Sequence, residues 1–123
     1  MINASLNNHR QSPRKVRLVV NLVKGQSVER ALFTLENTAK KASKELIELI
    51  KSASANAKNN FNLDPKDLFI KEFRVDGGVT LKRSMPRARG SASRINKRTS
   101  NVLIVLAPKE KEVAKVSKSK KNK

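Results

Sequence analysis

The stretch from Leu81 to Ser100, LKRSMPRARGSASRINKRTS, most restricts what this chain can fold into. Its charged residues are Lys82, Arg83, Arg87, Arg89, Arg94, Lys97 and Arg98, with no acid among them. It has no apolar run long enough to bury a face of its own. Apolar, alternating runs flank it, Phe69 to Thr80 before and Asn101 to Ala107 after. Two strand-like runs around a basic centre containing Pro and Gly predict a long β-hairpin over 79–102, whose outer half has no core to fold around. From Gly78 to Arg89 the reach is ~35 Å when fully extended. A two-stranded ribbon of that kind is marginal in water by itself. The outer arm is therefore expected to be mobile in the free protein and to order against a polyanion.

The rest of the composition strengthens that expectation. The 123 residues carry 28 Lys and Arg against 10 Asp and Glu, a formal net charge of +18. A chain of this size repels itself unless a partner neutralises it, and nucleic acid is the usual partner. An anionic membrane surface is the main competitor. No apolar run approaches the length of a membrane-spanning helix, and MINASLNNHRQSPRK lacks the apolar centre of a secretory signal. There is no cysteine, which excludes disulfides and thiolate metal sites and is compatible with a reducing cytosol. Hydrophobic residues make up 37%, enough for one modest core.

Taken in order, Ile2, Ala4 and Leu6 alternate as a short strand. Ser12-Pro13 starts a helix, Val16, Val19, Val20 and Val23 hold its inner face, and Lys24-Gly25 stops it. Leu18 and Leu22 are expected to widen that face. Arg14, Arg17, Asn21 and Lys24 share another face. Its ordinary reading is solvated charge, but no acid occurs between Met1 and Val28, so a phosphate-facing surface competes with that reading. Ser27 is placed to cap a second helix with Val28, Ala31, Leu32 and Leu35 inside. Thr38 is placed to cap a third, whose stripe is Ala42, Leu46, Leu49, Ile50, Ala53 and Ala57. Glu48 and Lys51 are spaced as a surface ion pair. The small residues of SASANAKNN either let another backbone approach or merely thin the helix end. Asp64-Pro65 marks a turn. The next strand, Leu68 to Val75, places Phe69, Phe73 and Val75 on one alternation, and Gly77-Gly78 predicts a bulge or bend there and not an end, since Val79 and Leu81 resume the alternation. Val102 to Leu106 is short and continuously apolar, as a central strand would be, and Pro108 ends it. Residues 109–123 are lysine-rich and are expected to be a disordered basic tail.

These residues offer little to catalysis. His9 is the only histidine, no pair of carboxylates is set at a working spacing, and Gly77-Gly78 is not followed by the Lys-Ser/Thr of a phosphate loop. No enzyme activity, metal site or cofactor is expected. Nucleic-acid binding is supported by distribution as well as amount. Arginine crowds the hairpin, where its planar fork can grip phosphates, whereas lysine, a hydrated point charge, dominates the tail. The competing view of the hairpin is a flexible basic loop with no fixed target. Met85, Pro86, Ala88, Gly90 and Ala92 argue against it by keeping the arm thin and partly stiff. All four aromatic residues are Phe, and no stacking motif of the RRM kind is present. Shape recognition of a folded RNA remains, alongside a dimeric DNA-architectural protein with β-arms and a Met85-Pro86 wedge.

Three segments then carry a resemblance: SPRKVRLVVNLVKG (Ser12 to Gly25), SASANAKNN (Ser52 to Asn60), and LKRSMPRARG with INKRTS (Leu81 to Gly90, Ile95 to Ser100). Together they resemble the bacterial large-subunit ribosomal protein twenty-two family over nearly the whole chain to Pro108. The resemblance implies an α+β domain over 1–108, three helices packed on a small three-stranded antiparallel sheet, with a long hairpin extension. It implies a non-enzymatic structural constituent of the large subunit, cytoplasmic and ribosomal, monomeric within the ribosome and not bound to membrane. Its partners would be large-subunit rRNA, neighbouring ribosomal proteins including protein four at the tunnel constriction, and the nascent polypeptide. A part in subunit assembly and macrolide binding near the hairpin also follow from the resemblance. The rRNA-binding candidates are Arg14, Lys15, Arg17, Lys82, Arg83, Arg87, Arg89, Arg94, Lys97 and Arg98. The tunnel-lining tip would be Met85, Pro86, Arg87, Ala88, Arg89, Gly90, Ser91 and Ala92. Members of that family commonly carry a basic residue and an acid where this chain has Ser91 and Ser93, so the local charge and any turn-stabilising ion pair at the tip do not carry over from the resemblance.

Overall fold

The computed structural model describes residues 1–109; the expected tail lies, beyond Lys109, outside the described residues. Strand β1 (Ile2–His9) is followed by helices α1 (Pro13–Val23), α2 (Val28–Glu36) and α3 (Lys41–Phe61). A single 3-10 turn, Pro65–Asp67, leads into β2 (Leu68–Gly77); β3 (Leu81–Pro86) and β4 (Ala92–Lys97) form the arm, and β5 (Ser100–Pro108) returns to the body. The body sheet has the antiparallel order β1-β5-β2. The continuously apolar strand is thus the central one. Its Val102, Ile104 and Leu106 turn toward the helices and are buried.

The helices form where apolar periodicity demands. Val16, Val19, Val20 and Val23 of α1, Val28, Ala31 and Leu35 of α2, and all six residues of the α3 stripe are buried in one core with Ile2, Leu68, Ile70 and Phe73. Each Val, Leu, Ile or Phe side chain so buried contributes about 1.5–3 kcal/mol, so this face, and not intrinsic propensity, holds the helices. The small residues of α3 allow a close approach: Ala53 and Ala57 are fully buried, and Asn56 Nδ2 donates to the Asn3 carbonyl on β1. Pro13 occupies the first turn of α1 as expected. The three expected side-chain caps are absent. Ser12 and Ser27 stand at cap positions but serve through their carbonyls, which accept from Val16 and Ala31, while Lys40 and not Thr38 precedes α3. The Thr38 hydroxyl instead donates back to Thr34 O at 2.7 Å, inside the turn it was expected to leave. Nor do Glu48 and Lys51 form an ion pair.

Two expectations about β2 need correction. Leu68 and Ile70 are buried with Phe73 and Val75, while Phe69 is half-buried on the other face. The switch comes from a bulge between Ile70 and Glu72, which inserts Lys71 and moves the inward set from even to odd positions. The bulge therefore lies here and not at the glycines. At Gly77-Gly78 the strand leaves the sheet, and the arm forms a separate two-stranded sheet. Leu18 and Leu22 also differ from expectation. They are 67% and 51% exposed, because α1 packs through its valines alone.

Candidate nucleic-acid interface

The arm grows from a compact joint. Gly78 N donates to Thr99 O at 2.9 Å, and the Thr99 hydroxyl donates to Val79 O at 2.6 Å, cross-linking the two chains where they leave the body. Beyond it, β3 and β4 pair in unbroken register from Leu81 with Lys97 to Pro86 with Ala92. Alternation then divides the ribbon. Leu81, Arg83 and Met85 share one face with Ser93, Ile95 and Lys97; Lys82, Ser84 and Pro86 share the other with Ala92, Arg94 and Asn96. Every residue from Lys82 to Ala92 is exposed.

The tip is a 3-10 turn, Ala88–Gly90, in which Arg89 (φ 61°) and Gly90 (φ 72°) are both left-handed. Ser91, which stands where family members commonly carry a basic residue, closes it by hydrogen bonds. Its hydroxyl donates to Ala88 O at 2.9 Å, and its carbonyl accepts from Arg87 N at 2.8 Å. A neutral hydroxyl does the local work, so no acid is needed among the tip cations.

At the root of the arm the body opens a cleft of about 730 Å³ lined by Arg10, Lys15, Lys41, Lys97 and Arg98, with Gln11, Ser12 and Asn96 between them. Its walls come from the β1–α1 turn, α1, the start of α3 and the returning arm strand. The amino-terminal ends of α1 and α3 border it, adding their partial positive charge to that of the side chains. No carboxylate lines it. The only ion pairs among the described residues join Arg74 to Glu72 (3.7 Å) and Asp76 (3.1 Å), on exposed β2. Among the described residues the cations of cleft and arm therefore have no acidic partner, an arrangement that attracts a polyanion.

The predicted candidates fall into separate places. Lys15, Lys97 and Arg98 converge in the cleft. Lys82, Arg83, Arg87, Arg89 and Arg94 line the exposed arm, Arg83 donating locally to Lys82 O. Arg14 is exposed on α1 and does not line the cleft. Arg17 is tied down: its Nε and Nη2 donate to the Val75 carbonyl at 3.1 and 3.0 Å, fastening α1 to β2 and leaving three of its five donors uncommitted. Arg10 and Lys41 were not singled out. Arg10 lies in the acid-free opening segment and could have been found there, whereas Lys41, between Lys40 and Lys44, carries no distinguishing local signal. Among the described residues no cluster of potential metal ligands occurs, and no helix is long and apolar enough to cross a membrane.

A small basic α+β body, a thin projecting arm and a cation-lined cleft at its root define a polyanion-binding class of protein. Comparison with known proteins narrows the class. The family model described as ribosomal protein L22p/L17e matches residues 4–107. Large ribosomal subunit protein uL22 of Herpetosiphon aurantiacus is 48% identical over 103 residues, covering 84% of this chain and 91% of that relative. The protein of the same name from Acetivibrio thermocellus is 52% identical over 97 residues, 79% of this chain and 78% of its own length. That of Latilactobacillus sakei is 47% identical over 107 residues, 87% and 92% respectively. The chain belongs to the ribosomal protein L22p/L17e family. It is not an enzyme; its relatives are ribosomal proteins.

Proposed function

We propose that this chain is a structural constituent of the large ribosomal subunit in the cytoplasm, where it binds large-subunit rRNA, supports subunit assembly and lines the polypeptide exit tunnel with its arm. The observation that carries the reading is the concentrated charge: five cations converge on one cleft, more follow along the arm, and among the described residues no acid pairs with them. Phosphate contacts of this kind position a protein on RNA, and a thin exposed ribbon can enter spaces closed to a globular body. The cleft grips backbone at the root of the arm. Lys82, Arg83, Arg94 and Arg87 continue the contacts outward, and Met85 to Ala92 present the tip to the nascent chain beside protein four. Family membership, and relatives that are large ribosomal subunit proteins by name, support the placement in the large subunit. The same evidence disfavours the DNA-architectural alternative.

The test is retention on large subunits after a high-salt wash, together with the salt dependence of binding to rRNA fragments. The expected slope of log K against log salt is roughly −0.7 to −0.9 per phosphate neutralised. Replacing Lys41 and Arg98 by Gln should flatten that slope by about two. A salt-independent affinity, or loss of the protein in the wash, would refute the proposal.

A further inference from the structure

Beside the basic cleft is a second, smaller pocket of about 220 Å³, lined by Gln11, Lys15, Leu18, Val19, Lys40 and Lys41. Three of these residues, Gln11, Lys15 and Lys41, also line the cleft, so the two hollows share a wall. The pocket joins opposite chemistries. Leu18 and Val19 of α1 supply an aliphatic surface, and three lysines surround it. Leu18 is 67% exposed on a helix whose core contacts are made entirely by its valines. The fold therefore does not need Leu18, and ordinary packing does not account for a leucine ringed by lysines.

We propose that this pocket receives a single unpaired nucleobase from a bound RNA, while the sugar-phosphate of the same nucleotide rests in the cleft on Lys15 and Lys41. The inference rests on the RNA-binding reading above and adds a base-recognition site to it. Proteins that recognise RNA by sequence do so chiefly at unstacked nucleotides, whose faces can lie against side chains and whose edges accept hydrogen bonds. The pocket has room for one base and not for a base pair. Its cations match the phosphate that any nucleotide brings with it, and that charge match points to a nucleotide over an uncharged apolar peptide.

Gln11 adds an edge reader. Its N–H donates to His9 O at 2.8 Å, its carbonyl accepts from the Ser100 hydroxyl, and its Oε1 is bonded to His9 Nε2 at 3.2 Å. Three bonds thus hold the residue in place, and none uses its amide NH₂. Two of these bonds fix the backbone and the third holds Oε1, so the amide presents two unused donors in the wall shared by the two hollows, which favours bases that present an acceptor, a carbonyl oxygen or a ring nitrogen. Backbone contacts carry no sequence information; this group can.

The experiment compares binding of the full chain to three RNAs: a perfect duplex, the same duplex with one bulged 2-aminopurine nucleotide, and the same duplex with an abasic bulge. The bulged base is expected to raise affinity about fivefold to tenfold over the abasic bulge, with a change in 2-aminopurine fluorescence on binding. Leu18→Ser should abolish that preference while leaving duplex binding unchanged. Leu22→Ser, one turn along α1 and outside the pocket, should leave both intact. Lys15→Gln should weaken all three RNAs together. Equal affinity for base and abasic bulges, or a preference that survives Leu18→Ser, would overturn the pocket while leaving the RNA-binding reading standing. Failure to bind any of the three at low salt would overturn both. If an acidic, leucine-containing peptide shifted the Leu18 methyl NMR signals and the bulged RNA did not, the pocket would belong to a protein partner and the proposal would fall.

Discussion

Gly78→Ala tests whether the joint between body and arm is set by close packing. A Cβ at position 78 would stand 2.5 Å from Thr99 Oγ1 and 3.3 Å from Asn101 Oδ1. The first distance is far inside contact, so either the Thr99 side chain leaves its place or one of the two chains moves. Gly78 is not among the residues with positive φ, so alanine meets no backbone penalty and the whole effect is steric. Forcing a methyl into filled space costs about 1–3 kcal/mol. Displacing Thr99 also breaks its hydroxyl bond to Val79 O, for about 0.5–1.5 kcal/mol more. A total of about 3 kcal/mol should lower the melting midpoint of the body by roughly 12–24 °C in calorimetry or circular dichroism. Thr99→Ala removes the clashing atom. The double variant should therefore be more stable than the sum of the single effects predicts, by about 1–2 kcal/mol in a double-mutant cycle. Strictly additive losses, or an unchanged midpoint for Gly78→Ala alone, would refute the close-approach argument.

Three further outcomes are expected. Leu46→Ala, in the fully buried stripe of α3, should cost about 2–5 kcal/mol in urea unfolding, whereas Leu18→Ala should stay within about 0.5 kcal/mol despite identical chemistry. Gly90→Ala should strain the tip by about 1 kcal/mol through its left-handed backbone alone, since nothing lies within 4 Å of the added Cβ. Gly90→Asn should restore the turn, and amide exchange at Ser91 would distinguish them. Deleting Met85 to Arg89 should leave the melting of the body and incorporation into large subunits intact while altering the proposed tunnel wall, because these residues make no contact with the core. Loss of incorporation in sucrose-gradient fractions would instead make the tip an assembly anchor.

Much of the architecture is legible from local pattern. The α1, α2 and α3 stripes, the central placement of Val102 to Leu106 and the arm itself follow from periodicity and from missing apolar residues, quantities a short window contains. The caps failed for a local reason as well. Ser12, Ser27 and Thr38 have the right chemistry for a cap, but backbone carbonyls or an earlier turn already satisfy the relevant groups. The inward set of β2 was misassigned at Phe69 because one inserted residue, Lys71, inverts every position before it. A bulge is a property of pairing with β5, and the β2 sequence alone does not contain the partner.

The sequence by itself determined that this chain has an acid-free arm, a single aliphatic core and a charge that calls for a polyanion. Only the tertiary structure decided where that charge is concentrated. Arg10, Lys15, Lys41 and Arg98 are separated by up to 88 residues, and the β1–α1 turn, the start of α3 and the root of the arm bring them to one cleft. The same packing turned Leu18 outward and tied Arg17 to Val75. Periodicity reports which face of an element is apolar. Which side chains converge depends on how buried faces from distant segments fit together, and that information lies in the packed core.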